Sequence, residues 1–129
     1  MYTEENFESF KIFYQDWFDN VNSFYENNNF EKNSIVISHE TTPMGNWFYS
    51  EGKKQFGNLE QVIFLESKFI KLHNLVSYLW DAKTSGDDSL AKLYYEDFVI
   101  LSNRMIPNLE LSKQYIMKVQ NDKEIIKLN

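Results

Sequence analysis

The residues best suited to chemistry in this sequence lie between His39 and His73, the only two histidines of the chain. Together with Glu66 they offer the nitrogen and carboxylate donors that bind zinc. Glu66 precedes His73 by seven residues, which places both on one face of a helix. One interpretation is a three-ligand metal site of His39, Glu66 and His73 with an open position, as catalytic zinc sites have.

A second pattern in the same stretch has the spacing of a metal site but lacks most of its donors. The corner at residues 42–47 reads TPMGNW, and a later helix carries Phe69 four residues before His73. Two histidines with that spacing can hold one zinc ion, but Phe69 has no donor atom. Thr42 offers a neutral hydroxyl, which is a weak zinc ligand beside a thiolate.

The same residues can also be explained without a metal or a ligand, as parts of the fold, and this explanation is the simpler one. Glu66 and His73 would form a hydrogen bond, and His39 would be solvated. The aromatic run at residues 47–49 either lines a small pocket or caps the open end of a helical bundle, and the cap is favoured.

Composition narrows the possible functions. The sequence has no cysteine, no nucleophile–base pair and no glycine-rich phosphate loop, so we predict that the protein is not an enzyme. The formal charge of −6 weighs against nucleic-acid binding. The sequence contains neither a signal-peptide pattern nor an apolar run of about 20 residues, so we expect a cytoplasmic protein without membrane insertion.

Helices must position these residues, because only four glycines and two prolines interrupt 129 residues. Apolar residues recur every three or four positions from Phe7 to Phe24, from about residue 58 to 82, and from Leu90 to Val119. Pro107 falls inside the last phase and predicts a kink or two nearly collinear helices. Residues 30–57 are predicted to be irregular and rich in aromatic side chains.

We therefore predict an all-α fold made of a single domain over residues 1–129. Its architecture is expected to be an antiparallel four-helix bundle, because long helices joined by short links pack in this way. The irregular, aromatic-rich segment lies between the first and second long helices.

The order of an aromatic first helix, a Gly-x-Trp corner and a helix with His73 resembles the chemoreceptor zinc-binding (CZB) domain family. That family's pattern is His-x-x-aromatic, then Cys-x-apolar-Gly-x-Trp, then His-x-x-x-His. The chain matches it over roughly residues 7 to 105. The matching residues are Met44, Gly45, Trp47 and His73. Phe7 (in Phe7-Glu8-Ser9-Phe10), Thr42 and Phe69 replace the other ligands.

The resemblance implies a regulatory module that often forms homodimers and acts on chemoreceptors or diguanylate cyclases. With His73 as the single retained ligand, we expect that zinc binding is lost and that the chain has no cofactor. The expected function is a non-catalytic regulatory or interaction module with a signalling protein as partner, in bacterial chemotaxis or cyclic-di-GMP signalling. The alternative is a small-molecule or metal sensor with a pocket at the former zinc site, formed by His73 with His39 and Glu66. A cavity lined by Phe7, Thr42, Phe69 and His73 would distinguish it.

Overall fold

A computed structural model describes residues 4–27 and 29–128, with side chains as far as residue 123. Every regular element in these residues is helical, which confirms the all-α prediction. The elements are α1 (Glu4–Asn27), α2 (Lys32–Ile35), a 3₁₀ turn (His39–Thr41), α3 (Pro43–Trp47), a π-helical turn (Phe48–Gly52), α4 (Lys53–Phe56), α5 (Glu60–Thr84) and α6 (Asp88–Leu128).

The apolar periodicity of α1 becomes its buried face, as predicted. Side chains every three or four residues lie inside, while the acidic and amide residues between them face solvent. The buried residues of α1 are Phe7, Phe10, Tyr14, Trp17, Val21 and Phe24. This face supplies most of the large aromatic side chains of the core.

Helices α5 and α6 form an antiparallel hairpin across a short turn. Tyr78 meets Tyr94 near the turn, and at the far end the Ser112 hydroxyl donates to the Gln61 carbonyl. Gly86 in the turn has φ of 82°, a conformation that glycine adopts without steric cost. The Asp87 carboxylate accepts from the backbone of the next helix, at Leu90, as expected for an acidic residue at a helix start.

Helix α1 lies in contact with both helices of the hairpin. Phe24 stacks on Trp80 of α5, with ring centroids 4.6 Å apart. Trp17 meets Phe98 of α6 edge to face, and the Tyr95 hydroxyl donates to the Asn22 side chain at 2.8 Å. The three long helices therefore enclose one aromatic core.

Residues 30–57 are more regular than predicted. The backbone is helical from Pro43 to Phe56, with the π-helical turn inside it. Gly52 lies inside this helical run, and the Trp47 ring packs where a Cβ on this residue would stand. Helix α2 ends at Ile35, and extended backbone follows at Val36.

Pro107 does not end α6, which continues from Asp88 to Leu128. The proline is exposed, while Met105 and Leu109 on either side of it are buried. Across the described residues, none of the helices has an apolar stretch long enough to cross a membrane.

Candidate functional site

The candidate site is centred on His73, which lies on the inner face of α5 and is 5% exposed. Its Nδ1 is 2.6 Å from the Ile37 carbonyl oxygen. A carbonyl only accepts, so Nδ1 carries the proton and donates to it. Nε2 then accepts from the Tyr14 hydroxyl, 3.1 Å away. Both ring nitrogens are thus held by protein groups.

The surroundings of this ring favour its neutral form. Trp17 stacks on it with centroids 4.2 Å apart and ring planes 16° from parallel. Burial lowers the pKa of His73 to about 4; the hydrogen bond to Ile37 opposes this shift, and the nearby His39 adds to it. His73 is therefore an uncharged core histidine near neutral pH.

Thr42 connects this centre to the corner before α3. It is fully buried and caps α3, because its hydroxyl accepts from the Gly45 amide at 2.9 Å. The same hydroxyl donates its one proton to the His39 carbonyl at 3.0 Å, and the Tyr14 side chain lies beside it. Burial raises the pKa of Tyr14, so its hydroxyl stays protonated and remains a donor to His73.

The Gly-x-Trp corner has a packing explanation. A Cβ on Gly45 would overlap the His39 carbonyl oxygen and press on the backbone of Glu40. The Trp47 ring stacks on Phe10, with centroids 5.7 Å apart, and meets Phe7 edge to face at 6.0 Å. Glycine is needed for the close approach of two backbone segments, and the tryptophan fixes α3 against α1.

The α1 side chain that is hydrogen-bonded to His73 is Tyr14, whereas the sequence had singled out Phe7 on this helix. Phe7 packs against Phe10 and Trp47, whereas Tyr14 is the α1 side chain hydrogen-bonded to His73. The sequence contains the missed signal, because Tyr14-Gln15-Asp16-Trp17 has the same x-x-aromatic spacing.

The other two predicted site residues, Glu66 and His39, lie near His73 but make contacts that the sequence did not predict. Glu66 does not bond His73; it accepts from the Tyr49 hydroxyl at 2.9 Å and from Lys53 at 3.4 Å. His39 was expected to be solvated, yet its ring packs against Phe69 at 5.5 Å. The His39 ring lies 6.3 Å from that of His73, centroid to centroid.

These donors do not fit a zinc ion. His73 has both nitrogens engaged, Phe69 has no donor atom, and Tyr14 and Thr42 are neutral hydroxyls that already bond protein groups. In the described part of the chain, no three His, Asp or Glu side chains are grouped to hold a metal. The grooves of about 270–340 Å³ on the surface are lined by residues of α5 and α6 away from this centre.

Comparison with known proteins gives no relative, since no family model, curated protein or solved structure matches the chain.

Proposed function

We propose that the chain is a non-catalytic regulatory or interaction module related to the CZB family, in which a hydrogen-bonded aromatic centre replaces the metal. One observation carries the proposal. His73, the residue that matches a family ligand, lies within hydrogen-bonding distance of Tyr14 and one helical turn after Phe69. Tyr14 also lies beside Thr42, which stands at the position of the family's cysteine.

The architecture proposed with this function is an antiparallel four-helix bundle. Helices α1, α5 and α6 provide three members, and the helical run from Pro43 to Phe56 is the fourth. Residues 30–42, with the short helix α2 and the 3₁₀ turn, then carry Ile37 and Thr42 to the centre. Both contribute polar backbone or side-chain groups there.

Loss of the metal is compatible with a stable fold. Replacing buried polar or charged groups by well-packed apolar ones is often neutral or stabilising. Phe69 contributes packing against Phe48 and His39, and the remaining polar groups bond one another. Such a module acts through its surface, so we propose a homodimer that binds a protein of a chemotaxis or cyclic-di-GMP pathway in the cytoplasm.

The sensor alternative has less support. It needs a cavity at the former zinc site, but Thr42 and Phe69 are completely buried and Phe7 is 3% exposed. The His73 ring is stacked on Trp17 and bonded at both nitrogens. A ligand would have to displace these contacts to reach the ring.

The experiment restores the family's ligands at two alternative sets of positions. Variant A carries Tyr14→His, Thr42→Cys and Phe69→His; variant B differs only in carrying Phe7→His in place of Tyr14→His. After dialysis against zinc and then metal-free buffer, we expect about one zinc ion per chain in A by elemental analysis, and none in B or the wild type.

Circular dichroism with and without zinc reports whether each variant folds, because metal binding to the folded state stabilises it. A folded variant A that holds no zinc would refute the relation to a metal centre. Stoichiometric zinc in the wild type, abolished by His73→Ala, would overturn the proposal that the metal is lost.

A further inference from the structure

Helix α6 carries a row of exposed apolar side chains on the side facing away from α1. Their exposed fractions range from 37% to 59%, and their spacing keeps them within one sector of the helix surface. They are Leu90, Leu93, Ile100, Leu111 and Tyr115. The buried side of α6 is occupied by a different set, which includes Phe98 against Trp17.

Helix α5 extends this row into a two-helix surface. Phe64 is 49% exposed and borders a groove of about 320 Å³ that Leu111 also lines. Tyr78 is 50% exposed and lines a groove of about 340 Å³ with Leu90. We call the exposed surface of these two residues and the five of α6 the outer face.

The outer face is large enough for a stable interface. From Leu90 to Tyr115 the helix rises about 38 Å, and two neighbouring helices are about 20 Å wide. The area is therefore about 700–800 Å², close to the roughly 800 Å² that each partner contributes to a standard interface. Seven apolar side chains that are each 37–59% exposed lie within this area, and clusters of exposed apolar side chains often mark interaction sites.

Two charges within the row make the outer face complementary to itself. Asp97 and Arg104 are exposed, lie two helical turns apart on the same side of α6, and form no ion pair with any residue the structure describes. If two α6 helices cross antiparallel about a two-fold axis beside Ile100, Asp97 of each copy faces Arg104 of the other. The same register places Leu90 opposite Leu111.

We propose that a second copy of this chain docks on the outer face, with its α6 antiparallel to the first about a two-fold axis beside Ile100. The symmetry repeats each contact, so the groove at Tyr78 meets the partner's end of the face near its Leu111. This inference rests on the proposed interaction module and assigns the surface through which that module pairs.

The first test is the oligomeric mass of the full chain by sedimentation at micromolar concentrations. We expect a dimer for the wild type and a monomer for Ile100→Asp, because a carboxylate at the axis would be buried against its own copy. Ile12→Asp on α1 is the matched control and stays dimeric, since Ile12 is 50% exposed and Ile100 54%. Circular dichroism verifies that all three proteins are equally helical.

The second test checks the register by charge reversal. Asp97→Arg and Arg104→Asp each place like charges opposite one another twice, so each weakens the dimer by about tenfold or more. The double variant Asp97→Arg/Arg104→Asp restores opposite charges, and its dissociation constant returns to within about threefold of the wild type.

A monomeric wild type overturns the inference. A dimer that survives Ile100→Asp overturns the outer face as the interface, while an interaction module using another surface still stands. A double variant as weak as the single ones refutes the antiparallel register. The zinc experiment above tests the relation to a metal centre separately.

Discussion

The buried, neutral state of His73 makes the stability of this protein depend on pH in a defined way. The pKa of His73 is lowered from 6.5 to about 4 in the folded chain, chiefly by burial. The unfolded chain binds a proton well before the folded one does, so the stabilisation is complete above about pH 6.5 and falls as the pH drops toward 4. Acid therefore favours unfolding through this residue.

The size of the effect follows from the two pKa values. At pH 5.0 almost all unfolded chains carry the proton on this histidine, whereas only about a tenth of folded chains do. The free energy of unfolding is then lower by about 2 kcal/mol than at pH 7.5, and by about 3 kcal/mol once the pH is below 4.

Urea unfolding at pH 7.5 and 5.0 measures this loss, and Trp17 provides a fluorescence signal from beside the ring. We expect His73→Gln to lower stability at both pH values, because the contacts of the ring are lost. The decisive quantity is the difference between the two pH values, which should be smaller in His73→Gln by about 2 kcal/mol than in the wild type.

His39→Gln is the matched control, because it removes the other histidine and leaves the bonds of His73 to Tyr14 and Ile37 in place. It should retain most of the loss on acidification. If His73→Gln and the wild type lose the same free energy between pH 7.5 and 5.0, the proposed neutral, buried histidine is wrong.

Three further substitutions test the contacts around the centre by the same unfolding measurement at pH 7.5. Tyr14→Phe leaves the buried His73 Nε2 without its donor and should lower the free energy of unfolding by about 1–2 kcal/mol. The control is Tyr95→Phe, which loses the bond to Asn22 near the surface. A loss for Tyr14→Phe no larger than that of the control would contradict a buried bond. Thr42→Val removes the helix cap and should also cost about 1–2 kcal/mol, and an unchanged midpoint would argue against the cap. Gly45→Ala forces a Cβ into the His39 carbonyl and should cost about 3 kcal/mol, and a variant as stable as the wild type would show that the backbones are not in close approach.

The long helices were predictable from sequence because their burial pattern is periodic. Residues from Phe7 to Phe24 recur at the helical spacing, and the same residues are buried in α1. The run from Pro43 to Phe56 escaped prediction because Gly45 and Gly52 resemble helix breakers. At Gly45 the backbone of His39 and Glu40 occupies the space of a Cβ, and at Gly52 the Trp47 ring does. Sequence alone does not distinguish a glycine needed for a turn from one needed for contact.

Which α1 side chain is hydrogen-bonded to His73 also depends on tertiary contacts. Helix α1 has aromatic residues at several positions with suitable spacing, so the x-x-aromatic motif fits Phe7 and Tyr14 equally well. The predicted bond between Glu66 and His73 could have been rejected from helix geometry. Seven residues separate them, and about 10 Å of helical rise is too long for a hydrogen bond between two side chains on one face.

The structural role of His73 is to donate a hydrogen bond to the backbone carbonyl of Ile37. After α2 the chain is extended at Val36, so the Ile37 carbonyl lies outside any helix and needs a donor from elsewhere. His73 supplies that donor and at the same time accepts from Tyr14. One side chain thereby joins α1, α5 and the segment before the corner. Thr42 ties that segment to α3, because its hydroxyl donates to the His39 carbonyl and accepts from the Gly45 amide.

A zinc ion in the proposed ancestral centre would join the same segments through its ligands. An apolar residue at position 73 would fill the space but leave the Ile37 carbonyl buried without a donor, at a cost of about 1–3 kcal/mol. The histidine is therefore explained by the backbone carbonyl that it bonds, and this role does not require a metal.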